Sequence, residues 1–420
     1  MEDTFLTAIE FFDRTPIENV VSSMTTIPDK IIFIGDGKVM RKFDHIYRSF
    51  LERRGLSIEI AYRNIKKNDI NDIVTVLSEI VEAEDQCVFD LTGGDDLVLV
   101  AMGIVYQKYS DKNIQMQRFN VRNGIVTDCD NDGTIIYSGT PEVSVEENIM
   151  IHGGIVRYAA EGDDRTYLWD LSDDFINDIS SMWNICKVNP GLWNAQINVL
   201  EAFDLFSTDK SSLEVSVNIS SVQEHLKAEG VKYVSIKGLL RALDKSSLIY
   251  FYADDGQNVS FTYKNEQIKK CLTKAGTILE LKVLISAKSL LGKDKDNFYT
   301  DSMSGVYIDW DGDLHNFVDE EKDTENEIDV VLMKGMTPIF ISCKNGHVDD
   351  DELYKLETVT NRFGGMYAKK VLIATYLGKK TKSMEYFRQR ARDMKINLID
   401  GVHQLNDEQF SKMIKHLINS

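Results

Sequence analysis

Long apolar runs are missing from this 420-residue chain, and so is a basic amino-terminal segment. No uninterrupted apolar stretch approaches the roughly 18 residues that a helix needs to cross a bilayer. The acidic start, MEDTFLTAIEFFD, also lacks the positively charged region of a secretory signal peptide. We therefore expect a cytoplasmic protein with no membrane partner.

Cysteine is scarce, and positive charge is in deficit. The five cysteines are odd in number, far apart and without CxxC spacing, so neither a disulfide framework nor a zinc site is predicted. The net charge of −19 argues against a protein that coats nucleic acid non-specifically, because that affinity comes from Lys and Arg. A localised nucleic-acid site is still allowed. One basic stretch spans 379–392, where a solvated helix face is the commoner explanation.

The chain has an ordinary globular composition, with 43% hydrophobic and 27% charged residues, and it is long enough for two or three domains. In the first 130 residues, short apolar strands alternate with amphipathic helical stretches. This alternation predicts a parallel sheet with helices on both faces, a Rossmann-like doubly wound sheet. The expected strands are 5–12, 30–35, 56–62, 86–94, 114–121 and 124–129, and the expected helices are 16–25, 38–54, 69–83 and 95–108.

Ligands of such sheets bind beyond the carboxyl ends of the strands. The segment VFDLTGGDDLVLVAMG (88–103) places a glycine turn between a strand and a helix start, where free N–H groups and the helix dipole can hold a phosphate. FIGDGK (33–38) and FFDRTPIEN (11–19) would reach the same edge. A plain strand-to-helix connection explains the turn as well, and both GxGxxG and the P-loop pattern are absent, which disfavours a dinucleotide or ATP. The candidate ligand-binding residues are Asp13, Arg14, Thr15, Gly35, Asp36, Lys38, Thr92, Gly93, Gly94 and Asp95.

The middle of the chain has a different pattern. Residues 131–170 are rich in Gly, Asp and Ser, so we expect the first domain to close there. Two helices follow, near 173–187 and 190–205. Between 212 and 264 the pattern predicts strand, helix, helix and hairpin, which is similar to a small winged-helix module. Because this module lacks clustered Arg or Lys, a packing or dimerising role is as plausible as DNA reading.

The last 150 residues predict a second, mixed α/β domain. Its expected helices are 273–291, 349–362, 381–394 and 406–418, and its expected strands are 304–310, 328–333, 338–343, 370–376 and 396–399. The pair 328–333 and 338–343 is apolar on both faces and is joined by the turn KGMT (334–337), which indicates a hairpin deep in a sheet.

Ionisable residues interrupt this apolar hairpin. Symmetric pairing about the turn places Asp329 opposite Ser342 and Glu327 opposite Lys344, with all four side chains on one face. A buried charge is costly without a partner. One explanation is an ion pair that fixes the strand register, and the other is a catalytic site.

The catalytic interpretation brings in the preceding helix. Glu280 borders the apolar face of GTILELKVLISAKSLL (276–291), and an acid in that place often points into a cleft. Glu280, Asp329 and the carbonyl of Cys343 would form an oxygen-rich site suited to Mg²⁺ or Mn²⁺. Lys344 could hold the attacking water and offset transition-state charge. Glu357 on the next helix could orient a water or Lys344, or it could be an ordinary surface acid.

These residues resemble a known family. A helical Glu followed by NEIDVV, SCKNG and LYKLETVTNRFGG is similar to the PD-(D/E)xK restriction-endonuclease-like fold, in the form fused to an N-terminal CARF domain in ancillary nucleases of type III CRISPR systems. FFDRTPIEN and DLTGGDDLVLVA are similar to the CARF partner, so the resemblance covers most of the chain.

The resemblance implies a sensor over 1–150, a connector over 151–270 and a nuclease over 271–420. It implies that Glu280, Asp329 and Lys344 are catalytic, with Ser342 where many nucleases of this fold have a second acid, which leaves the number of metal ions open. It also implies that the loops of the first domain bind a cyclic oligoadenylate, for which we expect cyclic tetra-adenylate. We expect a homodimer that shares one activator ring and cuts DNA, RNA or both in antiviral defence. The alternative is a ligand-sensing transcription regulator that carries an inactive nuclease-like scaffold.

Overall fold

The computed structural model describes residues 5–12, 17–120, 124–130, 134–138, 141–159, 165–207, 212–292, 295–313, 324–346, 348–377 and 381–419. They form the predicted mixed α/β structure. It contains sheets of seven, three and six strands. No helix in the described ranges combines the length and apolar character needed to cross a membrane.

The first sheet has the predicted doubly wound character. Its strand order is β3-β2-β1-β4-β5-β6-β7; the first five strands are parallel and the last two are antiparallel. The strands are β1 (Leu6–Phe11), β2 (Lys30–Gly35), β3 (Glu59–Asn64), β4 (Gln86–Asp90), β5 (Asn113–Asn120), β6 (Ile125–Asp128) and β7 (Thr134–Ser138). The helices between them are α1 (Val21–Thr25), α2 (Gly37–Arg53), α3 (Ile70–Ala83) and α4 (Asp96–Lys108).

Aspartate side chains cap the helices that follow the strands. Asp36 accepts hydrogen bonds from the backbone N–H groups of Lys38 and Val39, and Asp95 accepts one from Leu97. An N-cap carboxylate satisfies N–H groups that have no partner within the helix. The short β4 strand ends at Asp90, earlier than expected, and leaves residues 91–95 as a loop at the sheet edge.

A short crossover segment links the first sheet to the last one. It contains helix α5 (Val145–Ile151) and strand β8 (Ile155–Arg157). Strand β8 pairs with residues 307–309, so it belongs to the third sheet, although it lies about 150 positions earlier in the sequence. Helix α5 is tied to α2, since Arg54 Nε donates to Glu147 over 2.6 Å, and to the last domain, since Asn148 donates to the Phe363 carbonyl over 2.8 Å.

The connector follows with the predicted order of elements. Helices α6 (Asp173–Cys186) and α7 (Pro190–Phe206) precede β9 (Glu214–Asn218), α8 (Ile219–Ala228), α9 (Lys237–Lys245), β10 (Ile249–Asp254) and β11 (Asn258–Tyr263). The three strands form an antiparallel sheet with β11 in the centre. This is the strand, helix, helix and hairpin order of a winged helix.

The helix expected over 273–291 is present as a single, shorter helix, and a further helix that was not predicted precedes it. Helix α10 (Glu266–Thr273) ends one residue before Lys274, and helix α11 (Thr277–Lys288) begins after Gly276. The third sheet then contains β12 (Asp301–Asp309), β13 (Glu325–Lys334), β14 (Thr337–Lys344), β15 (Lys369–Ala374) and β16 (Asn397–Asp400), in the order β16-β15-β14-β13-β12-β8. Its helices are α12 (Asp350–Phe363), α13 (Lys382–Asp393) and α14 (Asp407–His416).

The third sheet lies between two hydrophobic cores. Ile339 and Ile341 of β14 pack in a core that also contains α11 and the helices of the connector. Phe340 packs in a second core with α12 and with Phe33 of the first sheet. Burial on both sides explains why the hairpin strands are nearly continuous apolar runs. The predicted register is confirmed, with Val330 opposite Ile341 and Lys334 opposite Thr337.

Candidate functional sites

The edge of the first sheet forms one candidate pocket. A cavity of about 370 Å³ lies there, lined by Phe11, Phe12, Asp36, Val39, Ile65, Lys67, Gly94 and Asp95. The structure therefore brings together the predicted loops after β2 and β4. Four predicted residues lie nearby but do not line this cavity: Gly35 at the end of β2, Lys38 in the first turn of α2, and Thr92 and Gly93 in the loop after β4. Asp13, Arg14 and Thr15 lie outside the described residues.

Two residues of this pocket come from a strand end that was not assigned to it from the sequence. Ile65 and Lys67 follow β3, the neighbour of β2 in the sheet. Because parallel strands end at the same edge, the end of β3 was the signal that could have identified them. Lys67 adds positive charge to a pocket that otherwise carries the carboxylates of Asp36 and Asp95.

The buried carboxylate of Asp90 holds the glycine turn in place through hydrogen bonds. Asp90 accepts hydrogen bonds from the backbone N–H of Thr92, over 2.7 Å, and from its hydroxyl. The Thr92 hydroxyl in turn accepts a hydrogen bond from the Phe119 N–H over 3.0 Å. These contacts assign the hydroxyl to loop positioning. Gly94 has a φ of +131°, a conformation that L side chains rarely adopt, which explains why glycine is needed there.

The second candidate site lies where the β13–β14 hairpin meets α11. Asp329 Oδ2 accepts a hydrogen bond of 2.6 Å from the Cys343 N–H and one of 3.3 Å from the Ser342 hydroxyl. Burial raises the pKa of Asp329, against the lowering effect of Lys344. The predicted opposition of Asp329 and Ser342 therefore gives a direct contact in the structure.

Glu280 lies beside Asp329 and is only 7% exposed. Burial, followed by the negative charge of Asp329, raises its pKa well above the ordinary value. Within the described residues, its carboxylate has no hydrogen bond or ion pair. The backbone approaches closely here, since a Cβ on Gly276 would lie 2.9 Å from Glu280 Oε1. The helix break at 274–276 thus leaves room for this carboxylate.

Lys344 follows Cys343 and extends its side chain past the same acid. Its Nζ lies 3.8 Å from Asp329 Oδ2 and 2.8 Å from Glu352 Oε2. Burial alone would lower the pKa of Lys344, but Asp329 and Glu352 together raise it above the ordinary value, so the ammonium stays charged. Lys344 is therefore in reach of the acid pair while its closest contact is to α12.

Glu357, an expected neighbour of Lys344, does not contact it in the structure. Glu357 forms an ion pair with Lys370 and accepts a hydrogen bond from Asn361 over 3.1 Å, so it is directed away from Lys344. Glu352, in the first turn of α12, is the acid that contacts Lys344. Position in the helix was the available signal, because the first turn of α12 is nearest to the end of β14.

Glu327 also has a different partner from the one expected. Its carboxylate forms an ion pair of 2.8 Å with Lys274 and accepts a hydrogen bond of 2.9 Å from the Tyr307 hydroxyl. Lys274 lies in the break between α10 and α11, which sequence periodicity did not reveal. The side chain of Glu327 remains on the cavity that contains Asp329 and Glu280.

The connector contributes a residue to this site. Asn194 of α7 donates to the Asn345 carbonyl, next to Lys344, and accepts a hydrogen bond of 2.7 Å from the Asn345 side chain. A sequence-based assignment of the site to the last domain missed Asn194. The cavity has a volume of about 440 Å³ and is lined by Asn194, Lys274, Gly276, Glu280, Glu327, Asp329, Cys343, Lys344 and Asn345.

The donor set fits a hard divalent cation with few protein ligands. Glu280 is a buried carboxylate without a partner among the described residues, and Asp329 lies beside it, which is an unfavourable arrangement for two anions unless a cation joins them. In the part of the chain that the structure describes, no three His, Cys, Asp or Glu side chains cluster closely enough to hold a metal. A cation would therefore need the Cys343 carbonyl and water as further ligands, which Mg²⁺ and Mn²⁺ accept.

Comparison with known protein families gives a match in the last third of the chain. Residues 291–418 match the Card1-like endonuclease domain family. The Card1-like region begins after α11, so it contains Asp329, Ser342 and Lys344 but not Glu280. A comparison with curated protein sequences found no significant match.

Solved structures extend the similarity to the whole chain. Protein VC1899 from Vibrio cholerae has a TM-score of 0.73 at 18% identity, covering 99% of this chain and 97% of that one. Can2 from Sulfobacillus thermosulfidooxidans, solved in complex with cyclic tetra-adenylate, has a TM-score of 0.65 at 15% identity, with the same two coverages. A type III CRISPR defence DNA nuclease activated by cyclic oligoadenylate has a TM-score of 0.45 at 12% identity, covering 90% of this chain and 47% of that one. The Card1-like match and the whole-chain similarities to VC1899 and Can2 confirm the predicted resemblance and the predicted fold.

Proposed function

We propose that the chain is a metal-dependent nuclease that a cyclic oligoadenylate switches on. The observation that carries the proposal is the second site, where the buried carboxylate of Glu280, the largely buried carboxylate of Asp329 and a charged lysine line one open cavity. Structural ion pairs do not require an acid such as Glu280 to be left without a partner. The match of residues 291–418 to Card1-like endonuclease domains supports the same chemistry.

The residues have separate roles in phosphodiester hydrolysis. Glu280, Asp329 and the Cys343 carbonyl would hold Mn²⁺ or Mg²⁺, which supplies Lewis-acid activation of water and of the phosphate. Lys344 positions the attacking water and offsets the negative charge that develops on the phosphate oxygens. Ser342 helps to orient Asp329 through its hydroxyl, instead of supplying a second acid.

The activator is assigned to the cavity at the edge of the first sheet. Its loops offer the amino end of α4, the glycine turn and Lys67, which together suit a phosphate-rich ligand. Can2, which shares the fold, was solved with cyclic tetra-adenylate, so this ring is the first candidate.

A dimer would place two such cavities side by side. Helix α4 begins next to the activator loop and exposes Leu97, Val100 and Ile104, which are 36%, 52% and 44% exposed. Their spacing puts them on one face of the helix. We assign this apolar stripe to contact with a second copy of the chain, because a ring with rotational symmetry fits a two-fold site that repeats the same loops.

One observation favours the alternative function, a ligand-sensing transcription regulator. Residues 214–263 have the element order of a winged helix, a fold that can read DNA. In that case DNA would bind without being cut, and the buried acids of the second site would not matter for activity.

The deciding experiment incubates the purified full-length chain with Mn²⁺ and labelled single-stranded DNA, double-stranded DNA or RNA. Cyclic tri-, tetra- and hexa-adenylate are added separately. We expect cleavage to require Mn²⁺ and to rise strongly above a low basal level when cyclic tetra-adenylate is present. Ring-dependent binding of double-stranded DNA without cleavage would support the regulator. Cleavage that ignores every ring would overturn the activator assignment.

A further inference from the structure

Cations of the second site lie on both sides of the acid pair. Lys344 reaches it from β14, and Lys274 reaches it from the break between α10 and α11, so both line the cavity with Glu280 and Asp329. Together with Glu327, the cavity carries three acids and two lysines. A bound divalent cation would make it net positive, which suits a polyanionic substrate.

The role assigned above to Lys344 does not involve Lys274. Lys274 Nζ lies 2.8 Å from Glu327 and 3.5 Å from the Tyr307 hydroxyl, above the Tyr307 ring. Its side chain is 40% exposed, so the ammonium is held in place and still reaches the cavity. Burial alone would lower the pKa of Lys274, but Glu327 acts in the opposite direction. The net pKa is above the ordinary value, so the ammonium stays charged.

We propose that Lys274 binds a second phosphate of the polynucleotide, next to the scissile phosphate. The inference rests on the proposed nuclease function and deepens it. It assigns the site to substrates with consecutive phosphodiesters, because Lys344 is already assigned to the scissile phosphate and Lys274 is left for a neighbouring one. Glu327 and Tyr307 position the ammonium in the way that supporting residues position binding groups.

A purely structural role for the Lys274–Glu327 pair is a weaker explanation. Both side chains are partly exposed, and such pairs contribute only about 0–1 kcal/mol to stability. The pair also lies at a helix break that brings Lys274 toward the acids instead of away from them.

Two substitutions that break the same ion pair separate these explanations. Lys274→Gln removes the proposed phosphate contact, whereas Glu327→Gln leaves Lys274 free and removes a nearby negative charge. Both are made in full-length Asp329→Asn protein, which we expect to bind substrate with little cleavage. Fluorescence anisotropy then follows labelled single-stranded DNA and RNA with cyclic tetra-adenylate and Mn²⁺ over a KCl series.

We expect Lys274→Gln to weaken binding and to lower the slope of log affinity against log salt by about one unit, as loss of one phosphate contact does. Lys274→Arg should restore the slope. Glu327→Gln should bind at least as tightly as the parent protein. Equal weakening by Lys274→Gln and Glu327→Gln would overturn the inference, and so would an unchanged slope in Lys274→Gln.

A matched control is Lys412→Gln, which breaks the exposed Lys412–Glu408 pair on α14. It should leave both affinity and slope at the parent values. Failure of the proposed function gives a different result, because the wild-type chain would then cut none of the substrates under any ring. An unchanged slope in Lys274→Gln together with normal wild-type cleavage would reject only the second phosphate site.

Discussion

Two pairs of neighbouring carboxylates can be compared, one within the first sheet and one between helix α11 and the third sheet. Glu10 of β1 lies opposite Asp90 of β4, and both are less than 5% exposed. Glu280 lies beside Asp329 in the third sheet. Burial is the largest cause of a raised pKa in all four groups. By burial and electrostatics alone, the two pairs are alike.

Their surroundings differ. The Ser22 hydroxyl and the Thr92 N–H and hydroxyl donate to Asp90, so that acid joins α1 to the loop over 91–95. The pair in the third sheet lines a cavity of about 440 Å³ and has Lys344 within 4 Å. We conclude that a raised pKa identifies a strained environment, and that access together with a neighbouring cation distinguishes a site from a structural support.

The largest effect is expected from the loss of Asp329, in the carboxylate pair that lines the cavity of the second site. Asp329→Asn should lower the cleavage rate by about a thousandfold, because a lost transition-state or metal contact costs several kcal/mol. The melting temperature should stay within a few degrees of wild type, since the amide keeps the shape of the side chain. Cleavage rate and thermal denaturation are measured on the same preparation. Normal cleavage would remove Asp329 from the site, and a collapse in stability would favour the register-fixing ion pair.

Loss of Asp90, in the carboxylate pair of the first sheet, should instead lower the stability of the fold. Asp90→Ala leaves the buried donors of Ser22 and Thr92 without an acceptor, so the free energy of unfolding should fall by about 3 kcal/mol. Urea denaturation measures this loss. The matched control, Ser78→Ala on α3, should change stability by less than about 1 kcal/mol. A stable Asp90→Ala protein would show that the comparison between the pairs is wrong.

The loop that Asp90 supports gives a third test. A side chain in Gly94→Val is strained at a φ of +131° and would approach Leu99 and Phe11. The activator concentration for half-maximal cleavage should rise about a hundredfold, because bulk keeps phosphate from the backbone N–H groups. Basal cleavage without activator should be unchanged. A wild-type titration curve would remove this loop from the activator site.

The pH dependence of stability gives a test of the buried carboxylate of Glu280, which has no partner among the described residues. The folded-state pKa of Glu280 is raised, so its contribution to stability is full at low pH and is lost as the pH rises through that pKa. Glu280→Gln should therefore stabilise the protein by about 2 kcal/mol at neutral pH, with the gain vanishing in acid, while cleavage is lost. Urea denaturation from acid to neutral pH tests this. A loss of stability at neutral pH would mean that Glu280 has a partner when folded.

The smallest expected effect concerns the neighbours of Lys344. Glu352→Gln should lower cleavage about tenfold by removing the acid that orients this lysine, an effect of about 1.4 kcal/mol. Glu357→Gln is the matched control on the same helix and should cut at the wild-type rate. Single-turnover kinetics with saturating activator compares the two. The reverse order would restore Glu357 as the orienting residue.

Local signals predicted much of this molecule. The alternation of strands and helices predicted the first sheet. The helix starts near its strand ends are capped by Asp36, Asp69 and Asp95. The turn between β13 and β14 fixed the hairpin register, and with it the contact between Asp329 and Ser342.

The parts that were missed depend on contacts between distant segments. Glu352 meets Lys344 because the first turn of α12 lies nearest to the end of β14, which helical periodicity alone does not show. Asn194 reaches the site from a helix about 150 residues before Asn345. The break at Lys274 to Gly276 lacks proline, so the helical pattern runs through it without a clear stop.

Strand β8 has a consequence for how the last domain can exist alone. It is three residues long, yet it covers the outer edge of β12, leaving the N–H and C=O groups of Tyr307 to Asp309 paired. A fragment cut to residues 291–418 would lose this cover together with Glu280. Its bare β12 edge would be a template for pairing with other chains, so such a fragment should aggregate as well as lack activity.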